Sequence, residues 1–455
     1  MTPTRVASPA VALRDLSPED ALSPYTNGPW DEHRAAHLLR RALGGCHRSE
    51  SERLAQLSPE VAVDALFAPA DPIQEAGLAA VGRTLARGGD REHLAGWWLM
   101  KSVQERRATG SRLALFLHDH FACALSKTED LQAMLAQHQL FLDEGGGSFP
   151  ALLRSVVRGP AMLRFLDGDK NRRGTPNENL ARELLELFTL GVGHYSETDV
   201  REAARALTGY GLRQGRFAFI AAHHDPEPKH VLGHEIDNGD DLCRVAAASP
   251  RCARFLAGKF WRWYVSPTPP PATLELLAER WRATGMDVSW LLKTLLASRA
   301  FYSDDVRRSL VKSPVDLVVG TLRATGGKPD YVAAARSCDP MGQTLFEPPG
   351  VQGWADGEAW IHPSAWIART RFAANHCQEL DQDALRALFE DPGLFGPTTV
   401  SGDDARRRSL EVVGLGDLPD RADALARALD GSPRGDDDLR DLLHATLCLP
   451  EAHLS

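Results

Sequence analysis

"TPNENLARELLELFTLGVGHYSETD" (residues 175–199) is the stretch that decides the fold class. Its leucines and its phenylalanine recur three and four residues apart, which is the spacing of one face of an α-helix. Gly191 and Gly193 predict the end of that helix. Ser196 and Asp199 then have the spacing of a capping box that begins a second helix. The stretch therefore predicts two consecutive helices.

The start of the first helix carries its own signals. Thr175 is suited to the N-cap position, and Pro176 to the first helical position. Glu178 follows three residues after Thr175, so the pair also fits a capping box. This gives Glu178 a structural role.

The same helical spacing continues through most of the chain, with glycine and proline between the helical segments. We therefore predict an all-α fold with a single large domain over residues 30–455. Residues 1–29, rich in proline, serine and alanine, are predicted to form a flexible N-terminal tail. Aromatic and β-branched residues alternate around a proline-containing turn in 215–234, which predicts one small β-hairpin. Long ordered loops are predicted at 341–361 and in a loop-rich insertion near 393–438.

Composition narrows the class of protein. The 455 residues carry a net charge of -9, which argues against nucleic acid as a partner. No run is long and apolar enough to predict a membrane span, and the N-terminus lacks the apolar region of a signal peptide. We therefore expect a cytoplasmic protein, without excluding a periplasmic role. Seven cysteines without a C-x-x-C pair argue against a disulfide framework and a cysteine-rich zinc site.

The first helix directs one carboxylate inward. At about 100° per residue, Glu183 falls inside the apolar arc, with Asn179 and Glu186 at its edges, whereas Arg182 and Glu178 point away. A buried ionised carboxylate is costly unless it is paired. Glu183 is therefore either paired with a buried arginine or part of a polar cleft of acid/base groups or metal ligands. The candidate arginines are Arg40, Arg41 and Arg205.

Two histidine-containing segments could contribute to such a cleft. On the helix predicted from "LALFLHDHFACALSK" (113–127), His118 and His120 point about 200° apart, and His120 lies on the apolar face. A histidine there is either a core residue or a ligand. "HHDPEPKHVLGH" (223–234) reads either as a catalytic or metal-binding cluster or as an Asx-type turn with a polar rim. The candidate ligands of a divalent metal are His118, His120, His224 and Asp225.

Tryptophans accompany these polar residues. The 341–361 loop contains Gln343, Trp354 and Trp360, and "KFWRWYV" (259–265) contains two more indoles. Indoles beside carboxylates suit a sugar, whose apolar face stacks on them, and equally suit core packing.

The motifs together resemble the large bacterial family known only as domain-of-unknown-function family 1800. The resemblance is carried by "AAHLLRRALGG", "LFLHDHFACALSK", the long segment that contains residues 175–199, "HHDPEPKHVLGH", "FLAGKFWRWYV" and "MGQTLFEPPGVQGW". It implies a helical fold of unestablished biochemical role. It also implies a neighbouring gene for an exported protein similar to alkaline phosphatases and sulfatases. This chain departs from the family in two places. It has Leu117-His118-Asp119-His120-Phe121 where the family often has Trp-His-Asn-His-Phe, and it has Glu227 where the family often has a glycine.

Two functions follow from these observations. The first is an enzyme, a hydrolase of a glycan or similar polar substrate, working through carboxylates or a divalent metal. Its predicted catalytic residues are Glu183, Glu186, Asn179 and Arg182, and its predicted substrate-binding residues are Asn177, Lys229, Gln343, Trp354 and Trp360. The second is a non-enzymatic accessory protein that binds the sulfatase-like or phosphatase-like partner, in which case the polar residues form a buried network.

Overall fold

The fold is mainly helical, as the periodicity predicts. The computed structural model describes residues 11–26, 28–389, 401–428 and 435–455. The α-helices in these ranges are α1 (Pro18–Leu22), α2 (Glu32–Leu43), α3 (Arg48–Ala55), α4 (Pro59–Ala65), α5 (Pro72–Arg87), α6 (Arg91–Gln104), α7 (Ser111–His120), α8 (Leu125–Thr128), α9 (Leu131–Glu144), α10 (Phe149–Val157), α11 (Pro160–Phe165), α12 (Asn179–Glu183), α13 (Glu197–Ala206), α14 (Gly239–Ala248), α15 (Pro250–Tyr264), α16 (Pro271–Ala283), α17 (Val288–Ala297), α18 (Pro314–Thr325), α19 (Tyr331–Ser337), α20 (Pro363–Glu379), α21 (Gln382–Phe389), α22 (Gly402–Val412), α23 (Asp420–Ala428) and α24 (Asp436–Leu447).

Two hydrophobic cores hold these helices together. The larger core extends from the N-terminal helices to α20, and Trp261 is among its largest fully buried side chains. The smaller core lies among α20–α24. Helices α18 and α20 join the two, because Leu322 and Phe372 pack in the larger core while Ala324 and Ala373 pack in the smaller one. No helix among the described residues is long and apolar enough to cross a membrane.

The stretch 175–199 folds differently from its predicted start. Helix α12 begins at Asn179, and Thr175 instead forms an isolated bridge with Arg172, so the capping box from Thr175 to Glu178 is wrong. The local reason is Asn177, whose side-chain oxygen accepts the N–H of Asn179 at 2.9 Å and turns the chain into the helix. The second capping box, between Ser196 and Asp199, is confirmed.

Helix α12 continues into a π-helix, Leu184–Leu190, which the sequence analysis did not predict. Two side chains donate additional hydrogen bonds to carbonyls of this helix. The Thr189 hydroxyl donates to the carbonyl of Leu184 at 2.6 Å, and Arg251 donates to that of Leu190 at 2.9 Å.

The β-structure of the described residues comprises two hairpins rather than one. The first pairs β1 (Tyr210–Arg213) with β2 (Arg216–Phe219), and the second pairs β3 (Lys229–Val231) with β4 (His234–Ile236). The predicted segment 215–234 thus contains the second strand of one hairpin and most of the other. Each hairpin turns through two residues of positive φ, of which the second is glycine, and this geometry suits a tight hairpin. The proline-containing turn only connects them.

Two loop predictions need correction. Residues 1–10 lie outside the described residues, but from residue 11 the predicted tail packs on the body: Leu13 and Leu22 are buried in the larger core. Burial of these leucines outweighs the proline and serine content of the segment. In the predicted insertion 393–438, helices α22 and α23 occupy much of the described part, and Leu410 and Leu425 are buried in the smaller core.

Candidate functional site

A cleft of about 440 Å³ lies where the ends of α7 and α15 meet the 341–361 loop and the start of α18. Its walls combine carboxylates, two guanidinium groups and several indoles, a set that suits a polar ligand with flat apolar faces. Its lining includes Asp119, Arg262, Trp263, Gln343, Trp354 and Trp360.

Asp119 is the titratable group that the fold holds most firmly in this cleft. It lies near the C-terminal end of α7, and its carboxylate accepts the backbone N–H of Trp354 at 2.8 Å. Gly353 makes this approach feasible, because a Cβ atom there would collide with Asp119. Burial raises the pKa of Asp119 to about 6, and the charge of Asp356 adds to the rise. The hydrogen bond from the backbone N–H of Trp354 and the charge of Lys259 act in the opposite direction. Asp119 therefore keeps a proton up to about pH 6, well above the range of an ordinary aspartate.

The two arginines of the cleft differ in availability. Arg112 is buried, binds Asp316 through two nitrogens at 3.0 and 3.2 Å, and stacks on the rings of Trp263 and Tyr264. Arg262 is exposed, and no described residue forms a hydrogen bond or ion pair with its guanidinium. Arg262 is therefore the cation that can bind a ligand.

The predicted residues of the 341–361 loop do meet at this cleft. Trp354 and Trp360 are only 7% and 4% exposed, so most of each indole packs in the core. The indole N–H groups of Trp263 and Trp354 are buried and have no partner among the described residues, which leaves two hydrogen-bond donors beside the cleft. Gln343 is buried, and its side-chain oxygen accepts the N–H of Val315 at 3.0 Å, so it also fixes the start of α18.

The predicted catalytic carboxylates lie elsewhere, on a partly exposed polar surface of α12 and the π-helix. Glu183 is half-buried, and burial together with Glu186 raises its pKa. No described residue forms an ion pair or hydrogen bond with Glu183, so pairing with Arg40, Arg41 or Arg205 is wrong. Tyr195 donates a hydrogen bond to Glu186.

The other polar residues of this surface have structural partners or face solvent. Arg182 binds Glu178 at 3.0 Å and Glu197 at 2.8 Å. Asn179 is exposed, and Asn177 begins the helix. None of the five predicted residues of this stretch lines the cleft that contains Asp119.

His118 and His120 are core residues. Each is 1% exposed; His118 lies 3.2 Å from a ring nitrogen of His138, and His120 lies 3.2 Å from the carbonyl of Phe188. Lys259 Nζ lies 3.1 Å from the other ring nitrogen of His120. Burial lowers the pKa of His118 to about 3 and that of His120 well below its usual range, so both rings are neutral at pH 7.

The turn at 224–229 is an ion-paired structural unit. Asp225 binds Arg205 at 2.7 Å, which lowers the pKa of the carboxyl, and Glu202 binds the same guanidinium at 2.9 Å. A ring nitrogen of His224 lies 2.7 Å from the carbonyl of Thr208. Lys229 is fully buried and donates to two backbone carbonyls, those of Asp225 and Asp237.

The predicted metal ligands do not fit a metal. No three histidine, cysteine, aspartate or glutamate side chains in the described parts of the chain are grouped as ligands. His118, His120, His224 and Asp225 are each engaged with a different neighbour. A divalent ion needs several of these donors to converge.

Two residues of the cleft were not predicted from the sequence to be site residues. Asp119 lies between His118 and His120, and Arg262 lies between Trp261 and Trp263. At both positions an ionisable residue lies in a helical segment that is rich in apolar residues, and this pattern could have indicated a functional residue.

Comparison with known proteins gives a single result. A family model described as "Protein of unknown function (DUF1800)" matches residues 37–453 of the chain. Neither the search of curated proteins nor that of solved structures gives a match. Since the matched region covers nearly the whole chain, the protein belongs to the DUF1800 family.

Proposed function

We propose that the protein is a hydrolase of a glycan or similar polar polymer, and that it works in the cleft that contains Asp119. One observation carries the proposal: the Asp119 carboxyl, held by the backbone of Trp354, opens into the same cleft as the unpaired Arg262 and three indoles. Acid–base groups, a cation and aromatic rings are the elements with which proteins bind and cleave sugars.

Asp119 is the proton donor in this scheme. Its carboxyl protonates the leaving oxygen of the scissile bond, as the acid with a raised pKa does in glycoside hydrolysis. A second carboxylate, Asp356 or Glu358, lies on the exposed loop at the same cleft and serves as the base that activates water. Arg262 binds hydroxyl or acidic groups of the substrate.

Glu183 and Glu186 form the alternative acid/base pair. The raised pKa of Glu183 and the proximity of Glu186 support that role, whereas neither residue lines the cleft in which Asp119 lies with Arg262 and the indoles. No step uses a metal, because the candidate ligands do not converge.

The test is release of oligosaccharides from a panel of bacterial polysaccharides, followed by mass spectrometry. We expect Asp119→Asn to lower turnover by about 10²-fold or more, since a positioned general acid contributes about that much. Because the proton-donating form of Asp119 is lost as pH rises through about 6, kcat/KM should fall above that pH. Full activity in Asp119→Asn together with loss in Glu183→Gln would move the chemistry to the α12 surface.

A non-enzymatic accessory role is the second candidate, and one feature favours it. Helix α5 exposes an apolar face, on which Ile73 is 83% and Val81 49% exposed. Such a face suits a partner protein, and the resemblance points to a sulfatase-like or phosphatase-like protein encoded beside this one. The double variant Ile73→Glu, Val81→Glu should then abolish co-purification of that protein; unchanged co-purification would exclude this face.

A further inference from the structure

A second, smaller pocket lies between the two cores. Its volume is about 150 Å³, and it is bounded by the end of α2, the start of α3, one side of α18 and the turn after α22. It shares no lining residue with the cleft that contains Asp119. Pockets for drug-sized ligands are roughly 300–1,000 Å³, so this one suits only a small ion or group.

Arg40 is a buried charged residue of this pocket whose burial is not explained by a hydrogen bond or ion pair with the described residues. Its side chain lines the pocket although the residue is only 8% exposed. No described residue forms a hydrogen bond or ion pair with its guanidinium. Asp417, the carboxylate whose charge reaches Arg40, already binds both Arg307 and Arg308. Burying an unpaired guanidinium costs free energy, and an anion bound to it offsets that cost.

The other charges around the pocket leave an excess of positive charge. Lys312, 8% exposed, also lines it and donates one hydrogen bond, to the carbonyl of Ala452 at 2.7 Å. Arg48 lies at the rim, where Glu411 binds it at 2.6 Å and Glu32 at 3.8 Å. The acidic rim is thus paired with Arg48, whereas the inner Arg40 and Lys312 have no carboxylate partner among the described residues.

We propose that this pocket binds a small tetrahedral oxyanion, a phosphate or sulfate group, between Arg40 and Lys312. The planar fork of Arg40 matches two oxygens of such a group. Burial and the charge of Arg40 lower the pKa of Lys312 to about 7, so a bound anion favours its protonated form, which supplies a point charge to a third oxygen. Gly44, Gly45 and Thr321 also line the pocket. The ligand is either the free ion or the end of a larger molecule that carries the same group.

Isothermal titration calorimetry with inorganic phosphate tests this proposal in the full chain. The wild type should give saturable binding, and sulfate should compete. Arg40→Met and Lys312→Met should each bind at least about tenfold more weakly, the loss expected for one charge-assisted contact. Arg53→Met removes an exposed arginine of α3 that lies outside the pocket, and it should bind as the wild type does. Parallel titrations with glycerol phosphate show whether the group binds free or attached.

Thermal unfolding in chloride buffer gives a second, independent readout. Because Arg40→Met removes an unpaired buried charge, the variant should unfold at the same temperature as the wild type or higher, and phosphate should no longer raise that temperature. No saturable binding by the wild type, or unchanged binding by folded Arg40→Met, would overturn the proposal. Acetate binding as tight as phosphate binding would overturn the assignment to a tetrahedral ion. If Arg40→Met does not fold, the arginine is structural and the proposal also fails.

Discussion

Single residues here owe their properties to burial more than to charge pairing. Asp119 and His118 are neighbours on α7, and burial shifts the pKa of each toward its neutral form. The aspartate opens into a cleft and can exchange its proton with a ligand. The histidine is sealed among Trp98, His138 and Phe346 and has no such access. Access to a cleft therefore separates a candidate acid from a core residue.

Asp119→Asn should stabilise the protein in a manner that depends on pH. Because the folded pKa of about 6 lies above the ordinary value of 3.8, ionisation opposes folding, and this penalty grows as pH rises from about 4 through 6. The variant should gain on the order of 2 kcal/mol in the free energy of unfolding at pH 8 and nothing at pH 3.5. Urea denaturation at both pH values measures this, with the exposed Asp383→Asn as the control. Equal effects at both pH values would refute the burial of an ionisable Asp119.

At the scale of elements, the sequence predicted where helices occur better than it predicted whether a helix has α- or π-geometry. The leucine spacing in 184–190 marks a helix, but α- and π-helices place apolar side chains so similarly that spacing does not separate them. The π-geometry depends on partners far along the chain, such as Arg251 on α15 and His120 on α7. The sequence of residues 184–190 alone does not predict these contacts.

Thr189→Val should weaken this π-helix. Its hydroxyl is fully buried and donates to the carbonyl of Leu184 at 2.6 Å, so the isosteric valine removes one buried hydrogen bond. We expect a loss of about 1–2 kcal/mol in the free energy of unfolding, measured by denaturant titration. Thr84→Val is the matched control, because the exposed Thr84 hydroxyl makes a similar bond to Ala80 at 3.0 Å in α5. A loss no larger than that of the control would mean that the hydroxyl does not support the π-helix.

At the scale of the whole molecule, buried arginines join segments that are distant in sequence. Arg41 donates to the carbonyls of Val265 at 3.0 Å and Val306 at 2.9 Å and so ties α2 to the chain after α15 and α17. Arg369 donates to the carbonyl of Lys312 at 2.8 Å and ties α20 to the start of α18. These links could not be predicted from sequence, because any carbonyl can accept them.

Arg41→Met should therefore lower the free energy of unfolding by at least about 2 kcal/mol, since several carbonyls lose charged donors. The exposed Arg87→Met should change it little. The adjacent Arg40→Met gives the opposite expectation, because Arg40 has no described partner to lose. Equal destabilisation by Arg40→Met and Arg41→Met would show that this distinction between the two arginines is wrong.

Some residues of the candidate site could be predicted from the sequence, but which of them lie together in one cleft could not. Gln343, Trp354 and Trp360 were expected to bind substrate, and all three line the cleft, although mainly as packed side chains. Glu183 was expected to point inward, toward a buried arginine or a polar cleft, yet it is half-buried, has no ion-pair partner among the described residues and does not line the cleft that contains Asp119. Asp119 was passed over because helical spacing cannot show which loop packs against the end of a helix.

The measurement that tests the account most directly is hydrolysis of the polysaccharide panel by the wild type, Asp119→Asn and Glu183→Gln side by side. We predict oligosaccharide release by the wild type and by Glu183→Gln, and a loss of about 10²-fold or more in Asp119→Asn. Because asparagine keeps the acceptor for the Trp354 N–H, that loss would report chemistry rather than misfolding. No release by the wild type, or undiminished release by Asp119→Asn, would contradict the account.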